Sequence, residues 1–176
     1  LNWIEKTYTY ASPANLTSNP EYTYSSPKKN VVAIIPARGN SKSINRKNLR
    51  LFRGKPLVQY TIDAALNSKS ITKTVVTTED DEIAQLAFDL GVKRVIFRPK
   101  YLSQDHVQVE ECVLQAYRVL EYEDNEKIDI LVVLQPTSPL RSAADIDAAV
   151  ALFENDNDDK LPVISGVVIV GVVRVL

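Results

Sequence analysis

Apolar runs and amphipathic segments alternate along the chain from residue 31 onward. Val31–Ile35 and Ile128–Leu134 are mostly apolar, which is typical of strands that are buried on both faces of a sheet. Two further strands are predicted over Lys73–Thr77 and Val92–Phe97. Helices are predicted in the segments around these strands, namely from Pro56, over Asp80–Leu90, over Val109–Tyr122 and from Ser142 to Phe153.

This order of strands and helices predicts an α/β protein with a parallel or mostly parallel sheet and helices on both of its faces. After an acidic, Asn-rich loop at residues 154–159, Val163–Leu176 predicts one more strand. Ligands of such sheets bind beyond the carboxyl ends of the strands. The candidate functional segments are therefore those that follow the predicted strands.

Several helix details depend on the same pattern. Pro56 suits the first turn of a helix, and Asp80–Leu90 begins with acids and ends before Gly91. Ser142 and Asp145 resemble a capping box. The predicted inward residues of the first helix are Leu57, Tyr60, Thr61, Ala64 and Ala65, and those of the third are Val113, Ala116, Tyr117 and Leu120.

Residues 1–30 lack this periodicity and are rich in Tyr, Thr, Ser, Asn and Pro. We expect them to form an extended N-terminal arm, separate from the domain that begins at residue 31. Two alternatives remain open for this arm. It is either solvated along its length, as chain termini commonly are, or its aromatic side chains dock on a partner or another subunit.

Composition excludes several classes of protein. The net charge is -1 and the pI is about 5.9, which disfavours bulk binding of nucleic acid. No run of apolar residues is long enough to predict a membrane span or a signal peptide. The single cysteine, Cys112, and the single histidine disfavour a disulfide framework and a zinc site. These features favour a cytoplasmic protein, with Cys112 in a helix core.

The segment from Pro36 to Lys55 contains seven Lys or Arg residues and no Asp or Glu. It follows the first buried strand directly, and Gly39 within it allows the backbone to approach a ligand closely. Cationic side chains and backbone N–H groups together suit a polyphosphate. We therefore expect a nucleoside triphosphate to bind here.

Four motifs then occur in order: IIPARGNSKSINRKN from Ile34, GKPL from Gly54, VVTTEDDEIA from Val75 and LQPTSPLR from Leu134. In sequence and spacing they resemble the N-acylneuraminate cytidylyltransferases and their relatives that activate other 2-keto sugar acids. The resemblance implies a three-layer αβα, Rossmann-like nucleotidyltransferase fold for residues 31–176, with a domain that is shortened at its C-terminus relative to the family. It also implies transfer of CMP from CTP to a sialic-acid-like sugar acid, with release of pyrophosphate.

The resemblance assigns roles to particular residues. It implies that Arg38, Lys42 and Lys47 hold the triphosphate and support catalysis. It implies nucleotide contacts for Gly39, Ser41, Asn48, Thr77 and Thr78. The residues that it places at the sugar-acid side of the site are Arg98, Asp105, Gln135, Thr137, Ser138 and Arg141.

The resemblance also implies a Mg²⁺ ion and a possible homodimer, but no Mg²⁺ ligands are identified in this sequence. Glu79 with Asp80 or Asp81 forms either a metal pair or a set of acids that stabilise a helix start. Two alternatives to the enzyme remain. One is a catalytically silent nucleotide-binding module, and the other is a nucleotidyltransferase for a different sugar acid.

Overall fold

The structure is a computed structural model that describes residues 29–41, 43–104, 106–155, 163–165 and 168–174. Nearly all of the predicted arm, together with Lys42 and Asp105, lies outside these residues. The strands are β1 (Val31–Pro36), β2 (Leu51–Phe52), β3 (Lys55–Pro56), β4 (Lys73–Thr78), β5 (Arg94–Phe97), β6 (Ile130–Leu134), β7 (Val163–Ser165) and β8 (Val168–Arg174). The α-helices are α1 (Leu57–Asn67), α2 (Asp81–Asp89), α3 (Val109–Arg118) and α4 (Ala143–Asn155).

A six-stranded sheet in the order β5-β4-β1-β6-β8-β7 forms the centre of the fold. The pairs β4–β5, β1–β4 and β1–β6 are parallel, which confirms the mostly parallel sheet. The single strand predicted over Val163–Leu176 is wrong, because the structure has two antiparallel strands there, with Ser165 paired to Val168. A Ser-Gly pair at residues 165–166 is the sequence signal for this reversal.

Helices cover both faces of the sheet, as predicted. Side chains of β1 alternate, so Ala33 and Ile35 pack in a core with α1, α2 and α4, whereas Val32 and Ile34 pack in a second core with α3. The alternation follows from the two-residue period of a strand. The fold is therefore the three-layer arrangement that the sequence predicts.

The predicted inward face of α1 is partly wrong. Val58 and Ile62 are completely buried, whereas Leu57 and Tyr60 are only partly so. The Tyr60 hydroxyl donates a hydrogen bond to the carbonyl oxygen of Phe52 at 2.6 Å. Tyr60 thus supports the β2–β3 hairpin, an element too short to leave a periodic pattern in the sequence.

Helix α3 keeps most of its predicted face, since Val113, Ala116 and Leu120 are buried and Cys112 lies in the core. Tyr117 is only partly buried, but it packs against the same core, and its hydroxyl donates to Glu121 Oε1 at 2.7 Å. The last turn, Val119–Glu123, widens into a π-helix. Within the described residues, the structure has no helix long and apolar enough to cross a membrane.

The path of the chain through the sheet fixes where a ligand can bind. From β1 the chain moves outward to β4 and β5, and it then returns to place β6 on the opposite side of β1. The strand order therefore reverses between β1 and β6. In open α/β sheets, the crevice beyond the carboxyl ends at such a point is the usual ligand site.

Asp147 of α4 ties this helix to the loop between α1 and β4. Its carboxylate accepts hydrogen bonds from Ser68 Oγ at 2.6 Å, from the Ser70 N–H at 2.9 Å and from the Lys69 N–H at 3.3 Å. Burial acts to raise the pKa of Asp147, but these hydrogen bonds together hold it below its ordinary value. The carboxylate therefore stabilises the fold in its charged form.

We expect Asp147→Asn to lower the free energy of unfolding by about 1–2 kcal/mol at pH 7, because an amide accepts on one oxygen only. A lowered pKa contributes stability that is present at neutral pH and is lost as the carboxylate takes up a proton. The difference between the two proteins should therefore shrink below about pH 4. Urea unfolding at a series of pH values measures it.

Asp63→Asn is the matched control for this prediction. Asp63 pairs with Lys55 at 2.9 Å on the surface, where ion pairs contribute little to stability. A loss at pH 7 as large for Asp63→Asn as for Asp147→Asn would contradict the special role of Asp147.

Candidate functional site

A cavity of about 200 Å³ lies at the point where the strand order reverses. The loop after β1 and the loop after β6 form two of its walls. Seven of the residues predicted for the site line it, namely Arg38, Ser41, Lys47, Asn48, Arg98, Gln135 and Thr137. The structure thus brings together side chains that the sequence predicts to be functional from three separate segments.

The loop after β1 has a defined conformation. Asn48 is buried, and its Nδ2 donates to the carbonyl oxygen of Arg38 at 2.9 Å, which ties the two ends of the loop together. Arg46 adopts a left-handed conformation with φ 51°. Its guanidinium pairs with Asp80 at 3.1 Å and with Glu82 at 3.2 Å. The acids at the start of α2 therefore compensate Arg46, whereas Lys47 lies at the cavity wall.

Asp80 is the N-cap of α2 and accepts hydrogen bonds from the N–H groups of Glu82 and Ile83. It also lies against Gly39, where a Cβ atom would be only 2.3 Å from Asp80 Oδ2. The interpretation of Asp80 as a partner of the helix start is thereby confirmed. Gly39 is required because the helix cap and the loop approach each other so closely.

Glu79 joins two parts of the site. Its Oε1 accepts the Gly39 N–H at 2.9 Å, and its Oε2 faces Arg98 Nε at 3.1 Å. Both side chains of this ion pair are largely buried, with 3 % of the Arg98 side chain and 15 % of the Glu79 side chain exposed. Because its N–H is engaged by Glu79, Gly39 does not offer this group to a ligand in this arrangement.

These contacts bear on the metal ion that the resemblance implies. Glu79 and Asp80 each face an arginine and backbone N–H groups, so the pair does not fit a divalent cation. Among the described residues there is also no cluster of three or more His, Cys, Asp or Glu side chains that could hold a metal. We therefore derive no chemical step through a metal ion.

Two buried arginines carry donors that have no partner among the described residues. Arg98 lines the cavity, and its Nη2 has no hydrogen-bond partner among the described residues. Arg141 does not line the cavity; its Nη2 donates to the carbonyl oxygen of Gln135 at 3.1 Å, while its Nε and Nη1 have no partner in the described part of the chain. Burial lowers the pKa of Arg141 to about 10, although nearby Asp145 acts to raise it, so Arg141 is charged at neutral pH.

Three other predicted residues are not among those that line the cavity. Thr77 and Thr78 are completely buried; the Thr77 carbonyl oxygen accepts the Ala37 N–H at 3.0 Å, and Thr78 Oγ1 accepts the Asp80 N–H at 3.1 Å. The Ser138 N–H donates to the Gln135 carbonyl oxygen at 3.4 Å within a turn. These residues shape the loops, and direct ligand contacts by them stay a prediction, as do the roles of Lys42 and Asp105.

One wall of the cavity contains side chains that were not predicted, although the resemblance placed Arg98 and Asp105 of the loop after β5 at the site. The unpredicted residues come from this loop and the start of α3, namely Leu102, Gln104, Val107, Val109 and Cys112. Cys112 Sγ donates to the carbonyl oxygen of Leu102 at 3.2 Å and so holds this loop against α3. The apolar spacing after Arg98 was the available signal, but such spacing is more typical of core than of a binding site.

Ser142 and Asp145 confirm the predicted capping box at the start of α4. The Ser142 N–H donates to Asp145 Oδ2 at 2.8 Å, and the Asp145 N–H donates to Ser142 Oγ at 3.2 Å. These bonds lower the pKa of Asp145, with the Ser142 N–H as the largest cause. Helix α4 thus begins at a fixed point directly after the loop that carries Gln135 and Arg141.

The parallel sheet, the basic loop after β1 and the cavity at the strand reversal define an α/β protein of the Rossmann-like nucleotidyltransferase class. The chain belongs to the cytidylyltransferase family, since the family model described as "Cytidylyltransferase" matches residues 32–174. This match confirms the resemblance found in the four sequence motifs.

Individual relatives agree with this assignment. The chain is 40% identical over 109 residues to a pseudaminic acid cytidylyltransferase of Campylobacter jejuni. The aligned region covers 62% of this chain and 47% of that protein. It is 37% identical over 124 residues to an N-acylneuraminate cytidylyltransferase of Escherichia coli, covering 70% of this chain and 28% of that protein. The chain thus spans about half, or less, of the length of these relatives.

A solved structure supports the fold. CMP:2-keto-3-deoxy-manno-octonic acid synthetase complexed with CTP superposes with a TM-score of 0.62 at 23% identity. The superposition covers 76% of this chain and 50% of that one. At this identity the likeness shows the Rossmann-like fold alone.

Proposed function

We propose that this protein transfers CMP from CTP to a sialic-acid-like 2-keto sugar acid and releases pyrophosphate. One observation carries the proposal. The cavity at the reversal of strand order is lined by cationic side chains from the loop after β1 and by polar side chains from the loop after β6. Membership of the cytidylyltransferase family supports CTP as the nucleotide.

In this proposal the loop after β1 binds the triphosphate. Arg38 and Lys47 neutralise its negative charge, and Lys42 belongs to the same basic segment. Ser41 and Asn48 line the same wall and offer donors to the nucleotide. Asn48 Nδ2 uses one of its two N–H donors on the Arg38 carbonyl oxygen, so its second N–H and its amide oxygen remain for the nucleotide.

The sugar acid occupies the side of the cavity near the loop after β6. Gln135 and Thr137 line this side directly, and Nη2 of Arg98 is available to an acceptor on a substrate. Arg141 acts from behind, since it holds the carbonyl oxygen of Gln135 and adds positive charge close to an anionic ligand. A carboxylate on the substrate would offset the cost of burying these cations.

The reaction itself is an in-line substitution. A hydroxyl oxygen of the sugar acid forms a bond to the α-phosphorus, and the bond from this phosphorus to the bridging oxygen of the β-phosphate breaks. Pyrophosphate leaves with the bonding electrons, and the hydroxyl proton passes to solvent. Positioning of the two substrates and charge compensation by Arg38, Lys42 and Lys47 supply the catalysis.

Properties beyond these residues stay predictions, either from the resemblance or from the composition. They are dependence on Mg²⁺, assembly into a homodimer, a cytoplasmic location and the absence of nucleic-acid binding. The identity of the sugar acid belongs to the same group.

The test is a calorimetric titration of the protein with CTP, followed by a pyrophosphate-release assay with N-acetylneuraminate and with pseudaminic acid. We expect CTP to bind and pyrophosphate to be released only when a sugar acid is present. GTP in place of CTP is the matched control and should give no release. Binding without release from either sugar acid would instead favour the silent nucleotide-binding module, and absence of CTP binding would refute the proposal.

A further inference from the structure

Glu79 is the only acid among the described residues that hydrogen-bonds both to the loop after β1 and to a side chain of the cavity wall. Its two carboxylate oxygens divide this task. One accepts the Gly39 N–H at 2.9 Å, and the other faces Arg98 Nε at 3.1 Å. We propose that Glu79 is a positioning residue, which holds the loop after β1 and the Arg98 guanidinium in the mutual geometry that the substrates require.

The ion pair between Glu79 and Arg98 is buried. Arg98 is almost wholly inaccessible, and Glu79 supplies its only ion pair within the described residues. A buried guanidinium without a counter-charge is strongly unfavourable. Glu79 therefore stabilises the positively charged Arg98 guanidinium at the wall of the cavity.

The contacts of Arg98 also fix the orientation of its guanidinium. Glu79 engages Nε only, and the Arg98 N–H is bonded to the Thr78 carbonyl oxygen at 3.0 Å. With these two points fixed, Nη2 remains as a buried donor without a described partner. A preorganised donor of this kind is what a substrate oxygen or ring nitrogen would meet on entering the cavity.

Only a carboxylate at position 79 fits both the Gly39 contact and the Arg98 contact. Each carboxylate oxygen accepts hydrogen bonds, whereas an amide of the same shape presents one acceptor and one donor. Gln at position 79 would therefore keep either the Gly39 contact or the Arg98 contact and place a donor against the other. The substitution removes the bridging function with almost no change in volume.

This inference rests on the proposed function only in taking CTP as the ligand of the cavity. The experiment is calorimetric titration with CTP for the wild-type protein, Glu79→Gln, Arg98→Gln and the double variant. We expect Glu79→Gln to weaken CTP binding by about tenfold or more. The CTP affinity of the double variant should lie within about twofold of that of Arg98→Gln. The two substitutions remove the same interaction, so their effects on affinity should not add.

Glu82→Gln is the matched control, since it removes the same charge from the same helix start. The Glu82 side chain is 75% exposed and contacts Arg46 at the surface. We expect its CTP affinity to stay within about twofold of wild type. A similar loss in Glu79→Gln and Glu82→Gln would show a general charge effect and overturn the proposal.

Two readouts separate positioning from mere stability. The unfolding temperature without ligand reports any structural loss, and a merely structural defect weakens CTP binding only by as much as it lowers the fraction of folded protein. Glu79→Gln with wild-type CTP affinity overturns the proposal, whatever its stability. If Glu79→Gln does not fold, the double variant replaces it, because with both side chains neutral no buried Arg98 charge is left without a counter-charge. Wild-type CTP affinity in the double variant would equally overturn the proposal.

Failure of the proposed function gives a different result. In that case the wild-type protein itself does not bind CTP. An intact wild-type affinity together with intact Glu79→Gln affinity refutes the positioning role alone.

Discussion

Replacement of Lys47 by methionine is expected to weaken CTP binding by about 10- to 100-fold, the range for loss of one hydrogen bond to a charged group. Lys47 lies at the wall of the cavity, whereas neighbouring Arg46 is compensated by Asp80 and Glu82. Methionine preserves the length and apolar stem of lysine and removes only the ammonium group. Calorimetric titration with CTP at fixed ionic strength measures the effect.

Lys55→Met is the control for this prediction. Lys55 belongs to the same basic segment, but it is exposed and pairs with Asp63 at 2.9 Å, away from the cavity wall. The same charge is removed, so a uniform electrostatic attraction would affect both variants equally. Equal losses would contradict a specific role of Lys47.

Replacement of Gly39 by alanine is expected to reduce CTP affinity and turnover by about 100-fold, the size of effect that a displacement of about 1 Å produces in a preorganised site. The new Cβ would lie 2.3 Å from Asp80 Oδ2 and 2.9 Å from Asp80 Cβ. Either the loop or the cap of α2 must therefore move. Overpacking of this kind also destabilises the fold by about 1–3 kcal/mol.

Gly91→Ala separates the two consequences. Gly91 has φ +98°, which strains an alanine, but nothing lies within 4 Å of its added Cβ and it is outside the cavity wall. We expect this variant to lose stability by about 1–2 kcal/mol and to keep its CTP affinity. Thermal unfolding and titration of both variants give the comparison. Normal CTP affinity in Gly39→Ala would show that the close approach of loop and helix cap is not needed for binding.

The sequence predicts the central elements well because their signals are local. The apolar runs of β1 and β6 identify buried strands, and the capping box at Ser142 marks the start of α4. The hairpin at Leu51–Pro56 escapes prediction because strands of two residues show no period. The face of α1 is misjudged for the same reason, since this hairpin is what occupies Tyr60.

The site divides in a similar way. Residues directly after β1 and β6 can be predicted to meet because parallel strands share a carboxyl edge. Contacts set by side-chain packing between distant segments cannot be read from spacing. Cys112, for example, joins the cavity wall through α3, and Glu79 finds its partners in Gly39 and Arg98. Thr77 and Thr78 are buried because β4 continues through Thr78, one residue beyond the end of the predicted strand.

The pairing of β1 with both β4 and β6 has a consequence for the order in which the protein is assembled. Asn30, directly before β1, contacts Thr72 and Asp129, which lie 42 and 99 residues later in the chain. A chain emerging from the ribosome can join β1 to β4 early, but the crevice between β1 and β6 has no second wall until the later partner arrives. The proposed nucleotide binding therefore requires that β6 has already paired with β1, so we expect a nucleotide to stabilise only chains in which this part of the sheet has formed.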